Sequence, residues 1–119
     1  MIGKFEVTRS SNNTFMFHLR ADNGSVILAS PAYENKDRVM QAIEEARGNA
    51  AIDDRFQRLA AEHGKASFLL KSASGEVLGH GQAYASTAAM ENGIASVARN
   101  GMNAVLVDMA PTRRLVALR

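Results

Sequence analysis

Apolar and polar positions alternate along Lys4 to Arg9, where Phe5 and Val7 sit between polar neighbours, the period-two signature of a strand with one buried face. Ser11, Asn12 and Asn13 supply turn chemistry, and alternation resumes from Phe15 to Arg20. Here Phe15, Phe17 and Leu19 share a face, expected to be the core, and Met16, His18 and Arg20 share the outer one. Asp22-Asn23-Gly24 then predicts a tight hairpin with a type I′ turn, because Asn-Gly readily takes positive φ angles. A third strand, Ser25 to Ala29, must pair back antiparallel on the second.

Beyond Pro31, which cannot donate to a ladder, the period changes from two to 3.6. Asn35 is the expected N-cap of a helix running to about Arg47, with Val39, Ile43 and Ala46 on its apolar stripe and Ala42 beside them. Gly48 suits the left-handed position that closes a helix. The same plan recurs: Arg55 to Ala61, a turn at His63-Gly64, Ser67 to Ser72, a turn at Ser74-Gly75, Glu76 to Gly79, and a helix from about Thr87 to Arg99. Ser86 is the expected N-cap and Gly101 the expected closing residue of that second helix. Met90, Ile94 and Val97 form its stripe, and Gly93 beside them carries a helix-interior cost of about 0.5–1 kcal/mol relative to Ala, which predicts close approach to the sheet. Ala104 to Met109 reads as a short closing strand, equivalent in position to the strand after helix one.

A shift of about 51 positions superposes the two halves without a gap: Phe5 on Phe56, Phe17 on Phe68, Leu19 on Leu70, Gly24 on Gly75, Tyr33 on Tyr84, Ile43 on Ile94 and Asn49 on Asn100. The chain is one βββα unit written twice, Lys4 to Asn49 and Arg55 to Asn100, and the expected fold class is α+β. An antiparallel sheet should pack against two helices, with an extra C-terminal strand. A unit of about 46 residues is near the size at which a disulfide, metal or partner is needed, and with no cysteine the available staple is the other unit. Residues 1–111 are therefore expected to form a single domain and to be a monomer, with residues 112–119 a flexible tail.

Charge adds one correction to this picture. The chain carries 14 basic and 12 acidic residues, but Arg113, Arg114 and Arg119 lie in the last seven positions, leaving 11 basic against 12 acidic elsewhere. The basic excess belongs to a tail, so nucleic-acid binding is expected to be weak and non-specific. No apolar run approaches the roughly 20 residues that span a bilayer, the N-terminal MIGKFEVTRS lacks an apolar signal region, and cysteine is absent, together predicting a soluble cytoplasmic protein.

The run from Tyr84 to Val97, with Gly64-Lys65, Phe68, Leu70-Lys71 and Gly75 before it, resembles the YegP-like family of small uncharacterised bacterial proteins. Asn92-Gly93-Ile94-Ala95-Ser96-Val97 is the most specific part of that resemblance, which covers both repeats. It implies a tandem βββα duplication, for which shorter one-copy relatives substitute a dimer, and implies no activity or catalytic residue. Two departures stand out: Gln41-Ala42-Ile43 has alanine where the motif has glycine, implying looser packing of helix one, and the tail beyond Pro111 is extra.

Candidate chemistry is sparse. His18, His63 and His80 have no second histidine or carboxylate at metal-ligand spacing, and read as surface histidines. Gly79-His80-Gly81 lacks the Lys-Ser/Thr that completes a phosphate loop, and Glu44-Glu45 and Asp53-Asp54 lie on solvated segments. No catalytic, metal or cofactor site is expected. Tyr33 and Tyr84, at equivalent strand-to-helix crossings, seal the core edge in the simplest reading and stack on a ligand in the alternative. Arg20 and Lys71, equivalent outer-face cations beside hairpin tips, are the other candidate ligand contacts. The expected function is a non-enzymatic binding or structural module presenting a sheet surface or edge to another macromolecule, possible partners including protein. The alternative is a small-ligand protein or minor enzyme with its site at the inter-repeat junction near the tyrosines.

Overall fold

In a computed structural model, which describes residues 2–60 and 64–110, the strands of both halves form one seven-stranded sheet. The elements in chain order are β1 (Lys4–Arg9), β2 (Phe15–Arg20), β3 (Val26–Ala29), α1 (Lys36–Asn49), a short 3-10 turn (Asp53–Arg55), β4 (Phe56–Ala60), β5 (Ala66–Lys71), β6 (Val77–His80), α2 (Thr87–Gly101) and β7 (Val105–Asp108). Their order across the sheet is β4-β5-β6-β3-β2-β1-β7. The expected turn residue His63 and the tail with Arg113, Arg114 and Arg119 lie outside the described residues.

The sheet is mixed, not wholly antiparallel: β7 joins β1 in parallel, Lys4 opposite Val105 and Val7 opposite Asp108. β4, the strand that follows α1, instead pairs antiparallel with β5. The two closing strands are equivalent in chain position but not in pairing. The central seam is β3 against β6, where Ala29 lies opposite His80.

Alternation sorts the two faces. Phe5, Val7, Phe17, Leu19, Leu28, Phe68 and Leu70 are almost fully buried, and the helices cover them with Val39, Ala42, Ile43, Ala46, Met90, Ile94 and Val97. Phe5 meets Phe17 edge to face at 5.5 Å, and Phe56 meets Phe68 in the same way at 5.7 Å, so the duplicated core keeps a duplicated aromatic pair. α1 packs on β2 and reaches across the seam to β5 and β6, while α2 packs on β5, β3 and β2. On the other face one row crosses all seven strands: Val107, Glu6, His18, Ala29, His80, Leu69 and Gln57.

Local chemistry departs from expectation at the turns and helix ends. Ala21 N–H donates to Ser25 O and Gly24 N–H to Ala21 O, with positive φ at Gly24 (89°), whereas Asn23 is not in the left-handed region. This is a type I turn closed by a left-handed residue, not type I′, and Ser72 to Glu76 repeats it with Gly75 at 93°. Asn13 (φ 65°) fills the same role between β1 and β2. Asn35 and Ser86 cap as expected, accepting from the backbone N–H of Arg38 and Ala89. Neither Gly48 nor Gly101 takes the expected closing position, since both are helical and the caps are Ala50 and Met102 in right-handed conformation. The helices run on because their ends are satisfied otherwise: Asn49 and Asn100 donate back to the carbonyls of Glu45 and Ser96, and Arg47 reaches the carbonyls of Gly101 and Met102. Gly101 serves packing, because a Cβ there would lie 2.9 Å from the Ala50 Cβ.

Candidate functional site

Tyr33 and Tyr84 occupy matched backbone frames. Tyr33 exchanges two backbone hydrogen bonds with Phe15 at 2.7 and 2.8 Å, and Tyr84 exchanges two with Ala66 at 2.7 and 2.9 Å. Each tyrosine is thus held at a strand-to-helix crossing two residues before an N-cap, with its ring directed at the first turns of its own helix.

The rings settle differently. Tyr84 stacks nearly parallel on Phe68, centroids 6.3 Å apart and planes 11° apart, and its phenol lies against Gly93. At the equivalent place in the first half the helix carries Ala42, a residue with the Cβ that Gly93 lacks. There a cavity of about 190 Å³ opens beside Tyr33, walled by Arg38, Gln41 and Glu45 of α1 and by Glu76 and Leu78 of the second repeat, with Ala42 at its floor. The close approach expected of Gly93 is present, but to the tyrosine ring, not to strand backbone.

The cavity crosses the inter-repeat seam, and the charged side chains at its rim, Arg38, Glu45 and Glu76, are all exposed to solvent. Among the described residues, Arg38, Glu45 and Glu76 form no ion pair, although other charged side chains pair readily, as Arg20–Glu6, Lys36–Asp108 and Arg58–Glu91 do at 2.7 Å. All three act on the Tyr33 hydroxyl. Burial raises its pKa first, Glu76 and Glu45 raise it further, and Arg38 opposes them. Tyr84 is raised by burial. Displacement by 51 positions puts Ala89, Ser96 and Ser25 in the places of Arg38, Glu45 and Glu76, so the charged lining, drawn from both halves, occurs at the Tyr33 junction and is not repeated at Tyr84. Sequence reasoning placed Glu45 in a solvated Glu44-Glu45 pair and gave Arg38 and Glu76 no site role, yet setting the repeats side by side and asking where a charge in one meets a small neutral residue in the other marks all three.

The remaining candidates are not gathered here. Arg20 and Lys71 lie on the sheet face opposite the tyrosines, in β2 and β5, with β3 and β6 between them. Arg20 donates to Glu6 Oε1 at 2.7 Å and to the Gly24 carbonyl at 2.8 Å, so it is engaged in bracing its own hairpin. His18 and His80 flank Ala29 on that face. Partial burial lowers the pKa of His18, with Arg20 adding to the effect, Glu6 opposing it and His80 lowering it slightly further. Among the described residues no three His, Cys, Asp or Glu side chains come together to hold a metal ion, and no helix is long and apolar enough to cross a membrane.

Residues 10–57 and 61–108 each match a domain of unknown function, DUF1508, in two copies that begin at the same displacement as the internal repeat. The chain belongs to that family. It is 41% identical to a UPF0339 protein of Shewanella oneidensis over 109 residues, 92% of this chain and 99% of that one. It is 39% identical to the UPF0339 protein YegP of Escherichia coli K12 over 108 residues, 91% of this chain and 98% of that one. The solution NMR structure of E. coli YegP, described as a protein of unknown function, superposes with a TM-score of 0.88 at 37% identity, covering 95% of this chain and 97% of that one. The NMR structure of the S. oneidensis UPF0339 protein superposes with a TM-score of 0.86 at 41% identity over 92% of each. These family members carry the fold and no assigned activity.

Proposed function

We propose that this DUF1508 protein is a non-enzymatic binding module, a tandem of βββα units acting as a cytoplasmic monomer, whose site is the inter-repeat cavity at Tyr33. The observation that carries the reading is that cavity: concave, built from both repeats, and rimmed by solvent-exposed charges of both signs that form no ion pair among the described residues. Duplication supplies the physical logic. One junction, with Tyr84 seated on Gly93, seals the core, and the other is free to diverge because the fold is already held by its twin. A second reading, docking of a macromolecule at a sheet edge, draws on the exposed apolar side chains of Val105 and Leu106 in β7 with Met102 and Met109 beside it.

The test is a titration of isotope-labelled full-length protein, followed by backbone amide NMR, first with the small-molecule fraction of a bacterial lysate and then with its macromolecular fraction. Shifts at Tyr33, Ala42, Glu76 and Leu78 in the first titration are expected. Silence at those residues, with β7 moving in the second, would replace the cavity by the edge.

A further inference from the structure

Which ligand the Tyr33 cavity takes rests on the reading above and follows from its size and charge. About 190 Å³ is smaller than the roughly 300–1,000 Å³ of sites for drug-sized ligands and corresponds to about six waters at roughly 30 Å³ each. A nucleotide or large cofactor would lie mostly outside the cavity. The lining carries one guanidinium, Arg38, and two carboxylates, Glu45 and Glu76, a formal charge of one negative unit. A phosphate or a simple carboxylic acid would meet Arg38 but face two like charges. A simple diamine would satisfy both carboxylates but place a like charge on the guanidinium. A divalent metal would also be repelled by Arg38.

We propose that the cavity binds a small molecule bearing one carboxylate and two separated ammonium groups, the pattern of a free basic amino acid such as lysine. The guanidinium fork matches a carboxylate bidentately, and the two glutamates, one from each repeat, accept from two ammonium groups held apart by a methylene stem. Ala42 and Leu78, almost fully buried, and Tyr33 complete the lining with apolar atoms against which that stem can rest. The ligand's net charge of plus one neutralises the lining. Because the cavity is open on one side, its ion pairs are screened, and a dissociation constant on the order of 1 mM is expected.

The experiment is amide NMR titration of the full-length protein with three probes: L-lysine, 1,5-diaminopentane, which lacks the carboxylate, and 6-aminohexanoate, which lacks the α-amine. Lysine is expected to shift Tyr33, Ala42, Glu76 and Leu78 and to bind about tenfold more tightly than either analogue, since each lost charge-assisted hydrogen bond costs roughly that factor. Arg38→Gln should abolish the preference for lysine over diaminopentane, and Glu76→Gln should weaken lysine. Ala42→Gly should remove lysine binding without unfolding the protein, because Tyr33 can then settle on the helix as Tyr84 does on Gly93. Equal binding of lysine and diaminopentane by the unaltered protein would overturn the proposal. If lysine is silent while another component of the small-molecule lysate fraction moves the same amides, the ligand class is wrong and the site stands. If nothing moves them, both fall.

Discussion

Gly93 and Tyr84 are packed so closely that a methyl group on Gly93 would collide with the phenol oxygen and lie 2.6 Å from the ring Cζ. The glycine that weakens α2 by propensity is what allows the phenol end of the tyrosine to press against the helix while its ring stacks on Phe68. Ala42, its counterpart in α1, stands beside an open cavity instead.

Gly93→Ala should therefore destabilise the protein by about 1–3 kcal/mol, the range of an overpacked core, despite the helix propensity it gains. In a Tyr84→Ala background the same change should be neutral or stabilising. Urea denaturation of the four proteins of this double-mutant cycle decides the matter, and additive effects would refute the contact. Ala42→Gly should cost at most the propensity difference, about 0.5–1 kcal/mol, since Tyr33 can then settle against the helix.

Ile43 and Ile94 are 1% and 5% exposed at equivalent helix positions. Either Ile→Ala change should cost about 2–5 kcal/mol, with the two values similar because the surroundings are duplicated. Denaturant midpoints that barely moved for one of them would show that its half contributes little to the common core.

His18 supplies a pH signature. Its pKa is held below the ordinary 6.5 of histidine, chiefly by burial, so the unfolded chain binds the proton more readily than the folded one. Stability should then rise with pH through the interval between the folded value and about 6.5, and fall on acidification through it. His18→Gln should flatten this slope in denaturation curves taken at about pH 5.5 and 7.5. An unchanged slope would mean that other groups set the pH dependence.

Lys36 Nζ donates to Asp108 Oδ2 at 2.7 Å, tying β7 to the start of α1, and together with the Ala110 N–H this holds the Asp108 carboxyl below its usual range. Both side chains are partly exposed, so Lys36→Ala should cost no more than about 1 kcal/mol globally. Its effect should be local: faster hydrogen exchange at the amides of Val105 and Met109, which donate to Gly3 and Val7 and hold β7 on β1. Exchange that speeds up equally in β5 would argue against a local tie.

Much of the fold was legible in single side chains. Phe5, Val7, Phe17 and Leu19 alternate, and so do Ala66, Phe68 and Leu70, because a strand turns successive side chains to opposite faces and only one face here meets helices. Val39, Ile43 and Ala46 announce α1 by the same local logic at a period of 3.6. Asn35 and Ser86 mark helix starts because a cap is made within four residues. Helix ends proved less legible: Gly48 lies inside α1, and Gly101 continues α2 where Arg47 and Ala50 meet its end from the other half, contacts separated by more than fifty positions.

The candidate site shows the same division. Tyr33 and Tyr84 were marked by the repeat itself, since a 51-residue displacement is a property of the chain alone. That β7 lies parallel on β1 while β4 pairs antiparallel with β5 depends on which sheet edge each closing strand reaches, and periodicity carries no information on neighbours. The cavity was decided later still. Glu45 and Glu76 come to the Tyr33 cavity only because β3 and β6 join at the seam and bring the second repeat beside α1, and Ala42 stands there where, in the other half, Gly93 lets Tyr84 approach its helix.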